Sequence, residues 1–136
     1  MHAPTPRGTR IAHIGIAVES LEAILPFYRD LLGLRPIPLD DQDGANIAGL
    51  VAGESLVELL ESDQSASPIG KFLTNRGPGV HHICFVVDDL DGTLTRCARA
   101  GLQLLDATPR IGAEGKRIAF LHPRSTGGVL VELTEY

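Results

Sequence analysis

Two stretches of the chain alternate bulky apolar residues with small or polar ones at a period of two, the pattern of a half-buried strand. In His13-Ile14-Gly15-Ile16-Ala17-Val18 the residues Ile14, Ile16 and Val18 share one face, while His13, Gly15 and Ala17 share the other. The pattern returns 69 residues later as His82-Ile83-Cys84-Phe85-Val86-Val87, again with the bulky side chains opposite the histidine. Each stretch runs into a helix start, where Ser20 and Asp89 offer a short side-chain oxygen to the free amides of the first turn. Gly33 and Gly101 mark matching helix ends, because glycine enters the left-handed C-terminal conformation without penalty.

Each half then closes on a similar strand, Val57-Glu58-Leu59-Leu60-Glu61 and Val131-Glu132-Leu133-Thr134-Glu135. Between helix and closing strand there is room for two more strands per half, at 35–39 and 46–51, then at 103–106 and 117–121. The pattern predicts an α+β fold: two tandem βαβββ units, about 9–61 and 78–136, forming one cupped mixed sheet in a single domain over 1–136. The connecting segment 62–77 is turn-rich and then reads as a short helix, with Ser67 as its cap and Pro68 in its first turn.

Composition narrows the setting. With 136 residues, 43% hydrophobic and 21% charged, the chain has the profile of a globular protein of ordinary domain size. It contains no apolar run of the ~20 residues that would span a bilayer, and Met1 to Arg7 lack the apolar segment of a secretory signal, so a cytoplasmic protein is expected. A net charge of −5 disfavours nucleic acid or a membrane surface as partner. The second half is richer in bases than the first and is the better place for an anionic ligand. Cys84 and Cys97 have the spacing of neither a disulfide framework nor a zinc knuckle and are expected to be reduced and buried.

The repeat changes the reading of four residues. A lone strand histidine is usually a satisfied core or surface residue, but a pseudo-twofold relation brings His13 and His82 together, and Glu58 with Glu132. Both glutamates sit in apolar runs, where an unpaired buried carboxylate would cost several kcal/mol. The bland alternative places them at strand ends in water. Two neutral imidazoles and two carboxylates balance a divalent cation, and mixed nitrogen and oxygen ligation suits Co, Mn, Ni, Zn or Fe. The expected metal ligands are therefore His13, Glu58, His82 and Glu132. Glu61 and Glu135 are expected to face solvent, His81 to point away from His82 by strand alternation, and His122 to border the site.

From about Thr9 to Tyr136 the chain resembles the vicinal-oxygen-chelate superfamily, and within it the methylmalonyl-CoA epimerase family. The resemblance runs through Phe27-Tyr28-Arg29-Asp30-Leu31-Leu32-Gly33, the segment from Ser67 to Leu73, Gly79-Val80-His81-His82-Ile83, Ile111 to Ile118 and Phe120-Leu121-His122-Pro123. The turn from His122 to Gly128 before the last strand favours the epimerases over the glyoxalase-like relatives. The resemblance implies a metal-dependent epimerase acting on an acyl-CoA by proton transfer through a stabilised enolate, with cobalt foremost among the metals, Glu132 as a catalytic proton-transfer group and a homodimeric assembly. Lys71, Lys116, Arg117 and Arg124 are then the candidates to meet the coenzyme A phosphates. Some relatives carry a second glutamate on the strand before Glu58, whereas Gly44 to Leu50 here contains no acid; Glu58, a metal-bound water or a group near His122 are the alternatives. The competing readings are a glyoxalase I-type lactoylglutathione lyase and a metal-free small-molecule-binding protein of the same superfamily.

Overall fold

The computed structural model describes residues 6–136, so Met1 to Thr5 of the segment read for a signal lie outside it. Eight strands form one curled mixed sheet: β1 (Arg10–Ala17), β2 (Arg35–Ile37), β3 (Asn46–Ala52), β4 (Ser55–Glu61), β5 (Gly79–Val87), β6 (Arg110–Ile111), β7 (Arg117–Leu121) and β8 (Val131–Glu135). Their order in the sheet is β2-β3-β4-β1-β5-β8-β7-β6. Each half is thus an antiparallel three-stranded run whose last strand lies parallel to the first strand of its own unit. The halves join where β1 and β5 pair antiparallel.

The helices form where the capping chemistry puts them. Ser20 Oγ accepts from Ala23 N at 3.2 Å to open α1 (Leu21–Leu25), Ser67 Oγ accepts from Gly70 N to open α2 (Pro68–Arg76), and Asp89 accepts from Gly92 N to open α3 (Leu90–Arg99). Beyond α1 the chain widens into a π-helix over Pro26–Leu31, closed by Leu32 N donating to Phe27 O. Pro26 has no amide to give to the preceding turn, which makes this a natural place for the regular ladder to slip. Gly33 and Gly101 have φ of +74° and +84°, the left-handed exits expected of them.

The outer face of each half is closed by its helix, with Val18, Leu50 and Leu59 against Leu21, Ile24 and Leu25 of α1, and Val87 and Leu133 against Leu90 and Leu94 of α3. On the other face, Ala17, Ala45 and Leu60 pack with Ile69 of α2. No helix in the described residues is long and apolar enough to cross a membrane.

Three expectations change. The segment 103–106 makes only an isolated bridge, Leu104 with Leu121, and the edge strand is Arg110–Ile111 instead. There the Asp106 carboxylate takes the Phe120 amide at 2.9 Å, a side chain occupying a donor that a longer ladder would use. Strand β2 stops at Ile37 because Pro38 follows and has no amide to donate. Glu61 and Glu135 are not free surface charges: they accept from Leu21 N at 2.7 Å and Leu90 N at 3.3 Å, the first amides of α1 and α3. A carboxylate at that end also suits the helix dipole.

Candidate metal centre and active site

Strand register explains why the four expected ligands share a face. Glu58 lies across from Gly15, two residues beyond His13, and Glu132 lies across from Cys84, two residues beyond His82. A step of two keeps the face, so each half presents one histidine and one glutamate inward. All four side chains are buried, at 3% exposure for His13 and Glu58 and 5% for His82 and Glu132. They form one side of a cavity of about 270 Å³ whose wall is otherwise largely apolar, with Ile47, Leu60, Ile69, Ile118 and Phe120.

His13 Nε2 lies 3.0 Å from His82 Nε2 and 2.9 Å from Glu132 Oε1, which is itself 3.1 Å from His82 Nε2. Donors about 2.1 Å from one ion and at right angles around it stand about 3.0 Å apart, so this triangle is an acceptable edge set for an octahedral cation. Hydrogen bonds have similar spacing, and the deciding observation is Glu58. Its Oε2 is buried with no hydrogen-bond partner, although it lies 3.1 Å from His13 Nδ1. The proximity is therefore electrostatic without a hydrogen bond, and a buried carboxylate oxygen left so is what a cation would satisfy. The residues fit a divalent metal.

The electrostatics agree. Burial disfavours a charged His13, but hydrogen bonds with Cys84, Glu114 and Glu132 and the charge of Glu58 outweigh it and hold the imidazole well above its ordinary pKa. Burial lifts Glu58 to about 8. Burial works the same way on Glu132, yet hydrogen bonds from His13 and His82 prevail and lower it to about 2. A cluster so charged holds protons that an ion would displace.

His81 departs from expectation. In the β1–β5 ladder Gly15 pairs with His82 and Ile16 with Val80, so His81 is the extra residue of a bulge; Ala12, its repeat equivalent, is the extra residue on β1. A bulge re-aims a side chain. His81 consequently lines the cavity, packs edge-on against Phe72 and places its Nδ1 2.9 Å from His82 Nδ1. His122 caps a short 3-10 turn, Pro123–Ser125, by accepting from Arg124 N, and is not among the cavity-lining residues.

Of the four bases suggested for the coenzyme A phosphates, Lys116 lines the cavity, whereas Lys71, Arg117 and Arg124 do not. Arg117 is engaged by Asp91 at 2.6 Å and Glu135 at 2.8 Å. Two lining residues had no role in the sequence reading: Arg110, paired with Asp43 and Asp106 beside the Phe120 ring, and Glu114, whose Oε2 is 2.8 Å from His13 Nδ1. Both lie on loops or edge strands, where no periodic pattern reports which way a side chain turns.

Residues 12–120 match the family model described as Glyoxalase/Bleomycin resistance protein/Dioxygenase superfamily. The chain is 39% identical over 130 residues to an ethylmalonyl-CoA/methylmalonyl-CoA epimerase of Cereibacter sphaeroides, covering 93% of this chain and 97% of that one. It is 42% identical over 128 residues to the Bacillus subtilis protein YqjC, named as uncharacterized, covering 93% and 91%. A solved methylmalonyl-CoA epimerase in complex with methylmalonyl-CoA and NH4+ superposes with a TM-score of 0.88 at 38% identity, over 93% of this chain and 94% of that one.

Proposed function

This chain belongs to the glyoxalase/bleomycin resistance protein/dioxygenase superfamily, and on that premise we propose that it is a metal-dependent methylmalonyl-CoA epimerase. The observation that carries the reading is the meeting of two histidines and two glutamates, one pair from each repeat, at a buried wall of an apolar cavity. His13, Glu58, His82 and Glu132 would hold the ion, cobalt by preference. When bound, it supplies a Lewis acid for the charge that grows on a thioester oxygen as the adjacent carbon loses its proton.

The chain's own residues do the rest. Glu132 lines the cavity as an ionised carboxylate and is the group assigned to proton transfer on one face of the 2-carbon, inversion requiring a second acid–base group on the opposite face. Ile47, Leu60, Ile118 and Phe120 exclude water and receive the apolar part of the acyl group. Lys116, an exposed residue on the lining, is the best placed of the suggested bases for a phosphate; Lys71, Arg117 and Arg124 could serve only farther out along the cofactor. The same reading takes the protein as a cytoplasmic homodimer, which sedimentation and fractionation would test.

The decisive experiment follows hydrogen exchange at the 2-carbon of methylmalonyl-CoA in deuterated water, with metal-loaded protein. Wild type should exchange and invert. Glu132→Gln, loaded with excess cobalt, should keep acyl-CoA binding yet lose exchange by at least the ~10²-fold of a removed general base. Turnover of methylglyoxal with glutathione in place of this exchange would instead make the protein a lactoylglutathione lyase.

A further inference from the structure

A histidine that ligates through one ring nitrogen must carry its proton on the other, and a ring in a cavity wall does not choose its tautomer unaided. In this cluster both histidines have an outer partner. His82 Nδ1 meets His81 Nδ1 at 2.9 Å, and His13 Nδ1 meets Glu114 Oε2 at 2.8 Å, while the two Nε2 atoms face each other and Glu132.

Glu114 belongs to the turn between β6 and β7, far from His13 in the chain, and its position is imposed by the turn. Gly112 N donates to Lys116 O and Gly115 N to Gly112 O, which close the hairpin. Asp40 N donates to Ala113 O, Gln42 Nε2 to Ile111 O and Arg110 pairs with Asp43, which clasp it to the opposite edge of the sheet. The carboxylate side chain is about a quarter exposed, and among the described residues His13 is its one ion-pair partner.

We propose that Glu114 is a positioning residue: it accepts a hydrogen bond from His13 Nδ1–H and so holds the ring in the tautomer and orientation that presents a bare Nε2 to the metal. This rests on the reading of His13 as a metal ligand. A carboxylate behind a ligating histidine also raises the basicity of the coordinating nitrogen, and loss of such a partner costs 10- to 100-fold in metal affinity. It further explains why the two sheet edges are clasped beside the site: the clasp delivers Glu114.

The test is calorimetric titration of the metal-free protein with Co²⁺, using wild type, Glu114→Ala, Glu114→Gln and His13→Ala, alongside ¹⁵N spectra of the histidine rings in the Zn²⁺-loaded proteins. Wild type should bind one ion, with His13 as the Nδ1–H tautomer. Glu114→Ala should bind about 10- to 100-fold more weakly and show mixed tautomers. Glu114→Gln, whose amide oxygen still accepts, should stay within a few-fold of wild type, and this variant carries the test if Glu114→Ala does not fold. Wild-type affinity and tautomer in Glu114→Ala would overturn the positioning role. So would Glu114→Gln failing as badly as alanine with an altered Co²⁺ absorption spectrum, since Glu114 would then itself be a ligand. If wild type takes up no ion, or His13→Ala takes it up equally well, the metal reading fails instead.

Discussion

At the scale of single residues, the site is made possible by what is missing as much as by what ligates. Gly15 has an ordinary strand backbone, so its absent side chain answers to space and not to conformation: a Cβ there would lie 2.2 Å from Cε1 of His82. The ring of one repeat thus rests over the strand of the other. Gly15→Ala should therefore spare the fold and displace His82, lowering metal affinity about 10- to 100-fold, the range seen when a ligand's orientation is lost. Unaltered affinity in a titration would mean that His82 binds in some other pose. The equivalent residue on β5 is Cys84, whose thiol is buried and pushed up to about 12 by that burial, which keeps it a neutral thiol near neutral pH in the metal-free protein.

At the scale of elements, caps and bulges decide where side chains arrive. Ser67 is the clearest cap: its buried hydroxyl accepts from Gly70 N at 3.0 Å and donates to Gln64 O at 2.7 Å, holding α2 against the inner sheet face. Ser67→Ala should lower unfolding free energy in urea by about 1 kcal/mol, within the 0.5–2 kcal/mol range for a lost N-cap. Metal affinity should be untouched, because α2 contributes no ligand. No loss of stability would show that the Gln64 to Gly70 turn is held by Ser62 and its neighbours alone. The two bulges are the other device, each placed just before a histidine, and the one on β5 turns His81 into the cavity when alternation assigns it to the far face.

For the whole molecule, an ion would join His13 and Glu58 of one repeat to His82 and Glu132 of the other, across the β1–β5 seam on which the halves pair. Binding that requires the folded arrangement stabilises it by about 2.7 kcal/mol at a hundredfold excess over Kd, so a chelator should lower the Tm by on the order of 10 °C for a chain of this size. The effect depends on pH with a definite sign. In the metal-free protein His13 is held well above its ordinary pKa and Glu58 at about 8, so both carry protons near neutrality that the ion must displace. Raising pH from about 6 to 8 weakens that competition, because fewer protons are available to hold these sites, and the gap in Tm between loaded and stripped protein should widen. A constant gap across that range would show that metal uptake displaces no proton.

Much of this molecule was legible in its pattern. The repeat exposed the βαβββ units, because strand alternation and helix caps are local properties that a sequence displays directly: Ser20, Ser67 and Asp89 cap as read, and Gly33 and Gly101 end their helices as read. The repeat also singled out His13, Glu58, His82 and Glu132, which meet because these equivalent positions face inward beside the seam where the units pair. What the pattern could not carry is whatever depends on a backbone irregularity or a long-range partner. The bulge at His81 inverts the face that alternation assigns, the Asp106 carboxylate shortens a ladder, and Glu61 and Glu135 find helix amides where the sequence shows only strand-end charges. Glu114 is the extreme case: 101 residues separate it from His13, and only curling of the sheet until its two edges meet brings the carboxylate to the ring. Local sequence determines which residues share a face; closure of the sheet decides which faces meet.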